Sequence, residues 1–237
     1  MTKGKKIVLL TLIIVCILVG GFVWYVTDYY HVVDLESAME ETELVRIAKI
    51  DIGYWYDGPG EENALIFYPG AKVQEVAYAP ILKMLAEQGV DCFLIHMPCN
   101  LAFLGVDRAN SIIETYQYKH WFLAGHSLGG AMAACYASEN NDKLDGLIFL
   151  AAYSTKNLTG TELDILSIYG SEDKVLNMEK LISSRRFMPD CFREYCIEGG
   201  NHAGFGDYGA QKGDGTASIT VKNQQDMTVA KILEMIK

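Results

Sequence analysis

The chain has 237 residues, half of them hydrophobic, with 30 acidic against 20 basic side chains and a formal net charge of -10. That is enough apolar material for one sizeable core, and one α/β domain accounts for the length better than two. Only Lys3, Lys5 and Lys6 are charged before Thr27, so the rest carries 17 basic against 30 acidic side chains. A surface of that sign repels nucleic acid and anionic lipid headgroups, which excludes nucleic acid as a partner.

Residues 7–26 contain no charge. At about 1.5 Å of rise each they are long enough to cross a hydrocarbon core of roughly 30 Å as one transmembrane helix. A cleaved signal peptide has a shorter apolar region and a small-x-small site, and neither is present. Bulky Val15 before Cys16 also argues against a lipoprotein signal. The expectation is an uncleaved anchor. The three lysines precede it, and Asp28, Asp34, Glu36, Glu40, Glu41 and Glu43 follow it. The positive-inside rule therefore predicts residues 1–6 in the cytoplasm and the main domain outside the cell membrane. Trp24, Tyr25, Tyr29 and Tyr30 fall at headgroup level at the outer end. Residues 27–43 read as a stalk with a short amphipathic helix over 34–42, leaving 44–237 as the domain.

Within the domain, residues 44–50 and 54–56 alternate as strands, and the turn-rich Asp57-Gly58-Pro59-Gly60 leads into an apolar strand over 64–68. A regular alternation follows. Helix is predicted over 73–88, 107–116, 128–138 and 175–183, and within 217–236. Strand is predicted over 90–95, 121–124, 144–150, 163–169 and 192–197. Strands separated by helices require right-handed crossovers and a mostly parallel sheet covered on both faces, so the fold class is α/β.

Cys16 lies in the span, and the other five cysteines are an odd number without regular spacing, which argues against a disulfide scaffold. Cys191 and Cys196, five apart on a predicted strand, point to opposite faces. No Cys-x-x-Cys or His-x-x-x-His spacing indicates a metal, and no cofactor is expected.

The chemistry centres on Gly125-His126-Ser127-Leu128-Gly129. A bare Gly-x-Ser-x-Gly arises too readily by chance to carry a claim, but here an apolar strand enters it and a small-residue helix leaves it. That is the setting of a nucleophile elbow. Serine needs a base and an orienting carboxylate, and in this strand-turn-helix setting the chain order is serine, acid, histidine. Asp173, in the loop after strand 163–169, is the expected acid, with Glu172 a neighbour and Asp207 late in the chain. His202, in the Gly-rich turn after strand 192–197, is the expected base. The oxyanion hole takes one amide from Leu128 and another from the loop Tyr68-Pro69-Gly70-Ala71-Lys72, where Ala71 is the first choice and Gly70 the second.

Several segments together resemble the small, lidless single-domain branch of the α/β-hydrolase superfamily known as alpha/beta hydrolase family 5. They are Phe67-Tyr68-Pro69-Gly70-Ala71-Lys72-Val73, Tyr78-Ala79-Pro80, Met97-Pro98, Gly125 to Gly130 and Gly200-Asn201-His202-Ala203. The resemblance implies an α/β-hydrolase fold and hydrolysis, usually of an ester-like bond. It supports Ser127, Asp173 and His202 one by one and supplies no substrate.

About a dozen residues separate strands 144–150 and 163–169, too few for a helical lid, so the pocket is expected to be open. An open pocket favours a short acyl ester or an envelope-derived ester over a triglyceride. His96 at the same sheet edge, Lys72, and a flap formed by residues 204–215 are further candidates for shaping specificity. The expected activity is that of a membrane-anchored serine hydrolase. Acyl transfer to an alcohol by the same triad, and a non-catalytic binding module on this fold, are the alternatives.

Overall fold

The computed structural model describes residues 2–237. Its elements in chain order are helix α1 (Lys3–Thr27), α2 (Leu35–Met39), strands β1 (Arg46–Ile50), β2 (Gly53–Asp57) and β3 (Asn63–Tyr68), and helix α3 (Ala79–Glu87). There follow β4 (Val90–Ile95), α4 (Arg108–Thr115), β5 (His120–His126), α5 (Leu128–Glu139), β6 (Gly146–Leu150), β7 (Asp164–Gly170), α6 (Met178–Ser184), β8 (Arg193–Ile197) and α7 (Val221–Ile236). The eight strands form one sheet in the order β1-β2-β4-β3-β5-β6-β7-β8. β1 and β2 are antiparallel to each other and β2 to β4; all the other pairings are parallel.

Successive residues of the central strands serve opposite faces. Leu65, Phe67, Phe122, Ala124, Ile148 and Leu150 pack with α3 and α7. Ile66, Tyr68, Leu123, Leu147 and Phe149 pack with α4 and α5. Both faces are dry, which is why these strands are near-continuous apolar runs and not alternating ones. Each fully buried Leu, Ile or Phe contributes about 1.5–3 kcal/mol.

The strand order positions the site. The chain runs from β3 outward to β4 and then returns across β3 to β5, so the carboxyl ends of β3 and β5 flank the point where winding reverses. A crevice opens there in doubly wound sheets. Tyr68 pairs with Gly125 in the register, so the loop after β3 and the turn after β5 leave the sheet side by side.

Two helices begin later than their apolar periodicity predicts. Residues 73–78 are held as a loop and a short 3-10 turn before α3, because Lys72 N–H donates to Asn100 O and Gln74 N–H to Tyr30 O, and Pro80 sits in the first turn of α3. Helix α6 begins only at Met178, since the amides of Val175 and Leu176 are taken by the Asp173 carboxylate and Asn177 caps the helix. The segment 27–43 differs from a free-standing stalk: Tyr30 forms a parallel bridge with Val73, Val33 N–H donates to Asp207 O, and Ala38 is buried. The most apolar 18-residue stretch of helix α1 has a mean hydropathy of 2.9, and at 25 residues the helix is long and apolar enough to cross a membrane.

Candidate active site

β5 runs on through His126, and the chain then turns at Ser127 into α5. Ser127 has φ 53° and ψ -121°, a conformation costing about 1–3 kcal/mol that persists only where its surroundings hold it. Its amide donates to Leu150 O at 2.9 Å. All five non-glycine residues with positive φ among those described, namely Lys72, Cys99, Asn100, Ser127 and Ala151, lie in the loops at the carboxyl edge of the sheet. Backbone strain is therefore concentrated at the edge where Ser127 sits.

The glycines of the elbow are required by contact. A Cβ on Gly125 would lie 2.5 Å from Gly129 C and Gly130 N, so the turn into α5 closes only without it. A Cβ on Gly129 would lie 2.1 Å from Tyr68 O and 2.5 Å from Pro69 O. The first turn of α5 thus rests directly on the loop after β3, which sets the amides of the two segments relative to each other.

His202 is buried, and its Nδ1 is 2.8 Å from Asp173 Oδ2. A carboxylate only accepts, so Nδ1 carries the proton and Nε2 presents its lone pair when the ring is neutral. Asp173 Oδ1 accepts the amides of Val175 and Leu176 at 2.8 and 2.7 Å, which holds the carboxylate in place. His202 Nε2 is buried and has no hydrogen-bond partner among the described residues. Ser127 and His202 line one cleft of about 390 Å³, together with Leu128, Met132, Ala152 and Leu176. The three residues expected as a triad are thus brought to one edge, with the His202–Asp173 bond formed and no hydrogen bond between Ser127 Oγ and Nε2. Glu172 and Asp207 do not pair with His202; burial raises the Asp207 carboxyl above the usual carboxylate range, with the nearby Asp34 charge adding to the effect.

The loop after β3 separates the two oxyanion candidates. The Gly70 amide donates to Tyr78 Oη at 3.1 Å, so it is committed. The amides of Ala71 and Leu128 have no acceptor among the described residues. His96 pairs with Glu75 at 3.0 Å, half exposed and away from the cleft, and Lys72 pairs with Asp28 at 3.1 Å. Residues 204–215 do not cover the cleft. Asp214 accepts the Ala203 amide at 2.9 Å and the His202 amide at 3.3 Å, bracing the histidine turn from behind. Gln224 of α7 clamps the same turn, accepting from Asn201 N–H and donating to Asn201 O.

Sequence reasoning missed a buried network beneath this edge. His126 Nε2 donates to His202 O at 3.1 Å, so His126 Nδ1 accepts from Tyr78 Oη at 2.8 Å, and Tyr78 Oη accepts from Gly70 N–H. One chain of hydrogen bonds therefore joins the loop after β3, the residue before Ser127 and the backbone of His202. Both residues lie in motifs already singled out, but no local spacing links positions 48 apart in the chain. Burial, and secondarily the His202 ring, holds the His126 pKa well below 6.5. The sign follows. Below about pH 6.5 the unfolded chain binds a proton at this site that the folded protein refuses, so stability falls as pH drops, by up to about 1.4 kcal/mol per pH unit until the folded pKa is reached. Melting temperature measured from pH 7 to 5 is expected to fall less steeply in His126→Gln than in the wild type; parallel profiles would contradict it.

All six cysteines are free, Cys191 lying before β8 and Cys196 within it, and no cluster of metal-ligating side chains occurs among the described residues.

The chain is similar to several solved structures. TT1662 from Thermus thermophilus superposes with a TM-score of 0.60 at 13% identity over 81% of this chain and 98% of that one. A predicted CIB-like hydrolase from Thermoplasma acidophilum superposes with 0.57 at 16% identity over 79% and 97%. Alpha/beta hydrolase domain-containing protein 10 from mouse superposes with 0.60 at 12% identity over 81% and 98%. At these identities the likeness shows the fold alone. No curated protein matches the sequence. The family model described as the alpha/beta hydrolase family matches residues 64–226, from β3 into α7 and across every residue of the candidate site, and the chain belongs to that family, with hydrolase as its activity class.

Proposed function

We propose that the chain is a membrane-anchored serine hydrolase that cleaves a carboxylic ester through an acyl-enzyme on Ser127. The observation that carries the reading is His202: its Nδ1 is bound to Asp173, and its unpartnered Nε2 is buried at the cleft that Ser127 also lines. His202 takes the proton of Ser127 Oγ as the hydroxyl attacks the ester carbonyl, then returns it to the departing alcohol. A water deprotonated by His202 releases the acid. Asp173 holds the imidazole in its productive tautomer. The amides of Leu128 and Ala71 hold the oxyanion, each worth about 10²–10³ in rate where such donors have been removed. The uncommitted state of both amides, against the engaged amide of Gly70, supports this pairing. The substrate is a small molecule or an envelope-derived ester.

In the same proposal α1 is the anchor, residues 1–6 are cytoplasmic and the domain is extracytoplasmic. The lysine bias before α1 and the aromatic residues at its end support that topology. Segment 27–43 connects anchor and domain while lying against the domain. The test is covalent labelling. A fluorophosphonate probe is expected to label the wild type and not Ser127→Ala, and equal labelling of both would overturn the reading.

A further inference from the structure

We propose that the carboxyl edge of the sheet, with its cleft, faces the bilayer that α1 enters, and that the substrate is an amphiphile resident in that bilayer with its ester at headgroup level. This rests on the hydrolase and anchor reading above and assigns that site a substrate class. It does not depend on which side of the membrane the domain occupies.

The first observation is where α1 meets the domain. Lys72 Nζ lies 4.6 Å from the Tyr25 ring and 3.1 Å from Asp28 Oδ2, joining the end of α1 to the loop after β3. The backbone repeats the tie. Tyr30 N–H donates to Lys72 O at 2.7 Å, and Gln74 N–H donates to Tyr30 O at 2.8 Å. On the far side of the cleft edge, Lys212 N–H donates to Tyr30 Oη at 3.0 Å. Trp24 and Tyr25 are the aromatics at the end of the span, where amphipathic rings settle at headgroup level. Lys72, which touches Tyr25, is the neighbour of Ala71, so the proposed oxyanion loop sits within one side chain of that level. A free hinge would leave the domain's orientation open; these contacts fix it.

The second observation is the distribution of exposed apolar side chains. Phe103 (52% exposed) and Leu104 (47%) lie on the loop after β4, and Val175 and Met178 between β7 and the first turn of α6. All four belong to the carboxyl edge. Leu44, just before β1, is exposed at the opposite edge of the sheet, and the other exposed large apolar residues outside α1 are Val33 and Leu35 in segment 27–43, Ile182 on α6, and Val221 and Met227 on α7. An apolar rim at the edge that the span enters is the pattern of a surface meeting lipid. The acidic surface of the domain restricts the partner further: anionic headgroups are repelled, so a zwitterionic interface is the favoured one. The cleft needs no lid on this arrangement, because docking against the interface removes bulk water from it and presents an acyl chain to Leu128, Met132 and Leu176.

The test uses the full chain in zwitterionic phosphatidylcholine vesicles. Inserting about 20 Gly and Ser residues between Thr27 and Asp28 gives a coil of roughly 25 Å that frees the domain from α1. Turnover of a water-soluble short ester is expected to stay within about two-fold, while turnover of a bilayer-embedded ester falls about ten-fold or more. A readout independent of catalysis accompanies it. Measured as the difference from a Trp24→Phe parent, which keeps Trp55 and Trp121, the fluorescence added by Phe103→Trp is expected to be quenched by lipids with a shallow nitroxide, and that added by Leu44→Trp is not. Equal quenching at the two positions, or equal loss of both ester activities on insertion, overturns the proposal, as does unchanged turnover of the embedded ester. Failure of the hydrolase reading looks different: Ser127→Ala then retains wild-type turnover of both esters, whatever the quenching.

Discussion

His202→Ala is expected to lower kcat for any hydrolysed ester by about 10⁴–10⁶-fold, with KM changed by less than about ten-fold. The Nδ1 of His202 is tied to Asp173 and its Nε2 has no partner among the described residues, so the lone pair is free to take a proton. His126 cannot substitute, because both of its nitrogens are engaged and burial keeps it neutral. The double variant Ser127→Ala with His202→Ala is expected to be no slower than the worse single variant, since the two groups act as a unit. Steady-state kinetics on a soluble ester checks both points. A loss below about 100-fold in His202→Ala would remove His202 from the role of base.

Gly129→Ala should have the second-largest effect, and it acts through position instead of chemistry. The added methyl would meet Tyr68 O at 2.1 Å and Pro69 O at 2.5 Å, two backbone atoms that no rotamer change can move aside. Either α5 or the loop after β3 must retreat by about an ångström, and a misplacement of that size costs about 10²-fold in rate. Overpacking should also lower stability by about 1–3 kcal/mol. The expected result is a folded protein with a reduced melting temperature and kcat down about 100-fold, while fluorophosphonate labelling persists at a slower rate. Wild-type kcat in a folded Gly129→Ala protein would show that the spacing of the Leu128 and Ala71 amides does not matter to the reaction.

The fold was largely legible because both of its faces are apolar. Strand β4 coincides with its sequence expectation, and the other strands agree within a few residues. The late starts of α3 and α6 were not legible. In each case hydrogen bonds from remote or polar groups captured amides that periodicity would have assigned to a helix: Tyr30 and Asn100 for the loop before α3, and Asp173 for the loop before α6. The same cause hid the docking of segment 27–43, whose charge and short apolar pattern describe a solvated connector unless its contacts with Val73 and Asp207 are known.

For the site, the order of Ser127, Asp173 and His202 along the chain follows from local signals: a small-residue turn between strand and helix, and polar loops after two late strands. Such signals identify residue types at strand ends, and in a parallel sheet those ends fall on one edge. Contacts between residues far apart in the chain are outside their reach. That Asp173 rather than Glu172 or Asp207 meets His202, that Tyr78 occupies the Gly70 amide, and that His126 links both to His202 depend on which side chains the crossovers bring together. The sequence by itself determined a parallel α/β sheet, an apolar N-terminal helix and the serine turn, because each is written in a local pattern of apolar and small residues. Only the tertiary structure decided the partner of His202, which amides of the loop after β3 and the serine turn are left uncommitted, and the side of the domain that α1 meets, because these depend on hydrogen bonds and contacts formed after the sheet has closed.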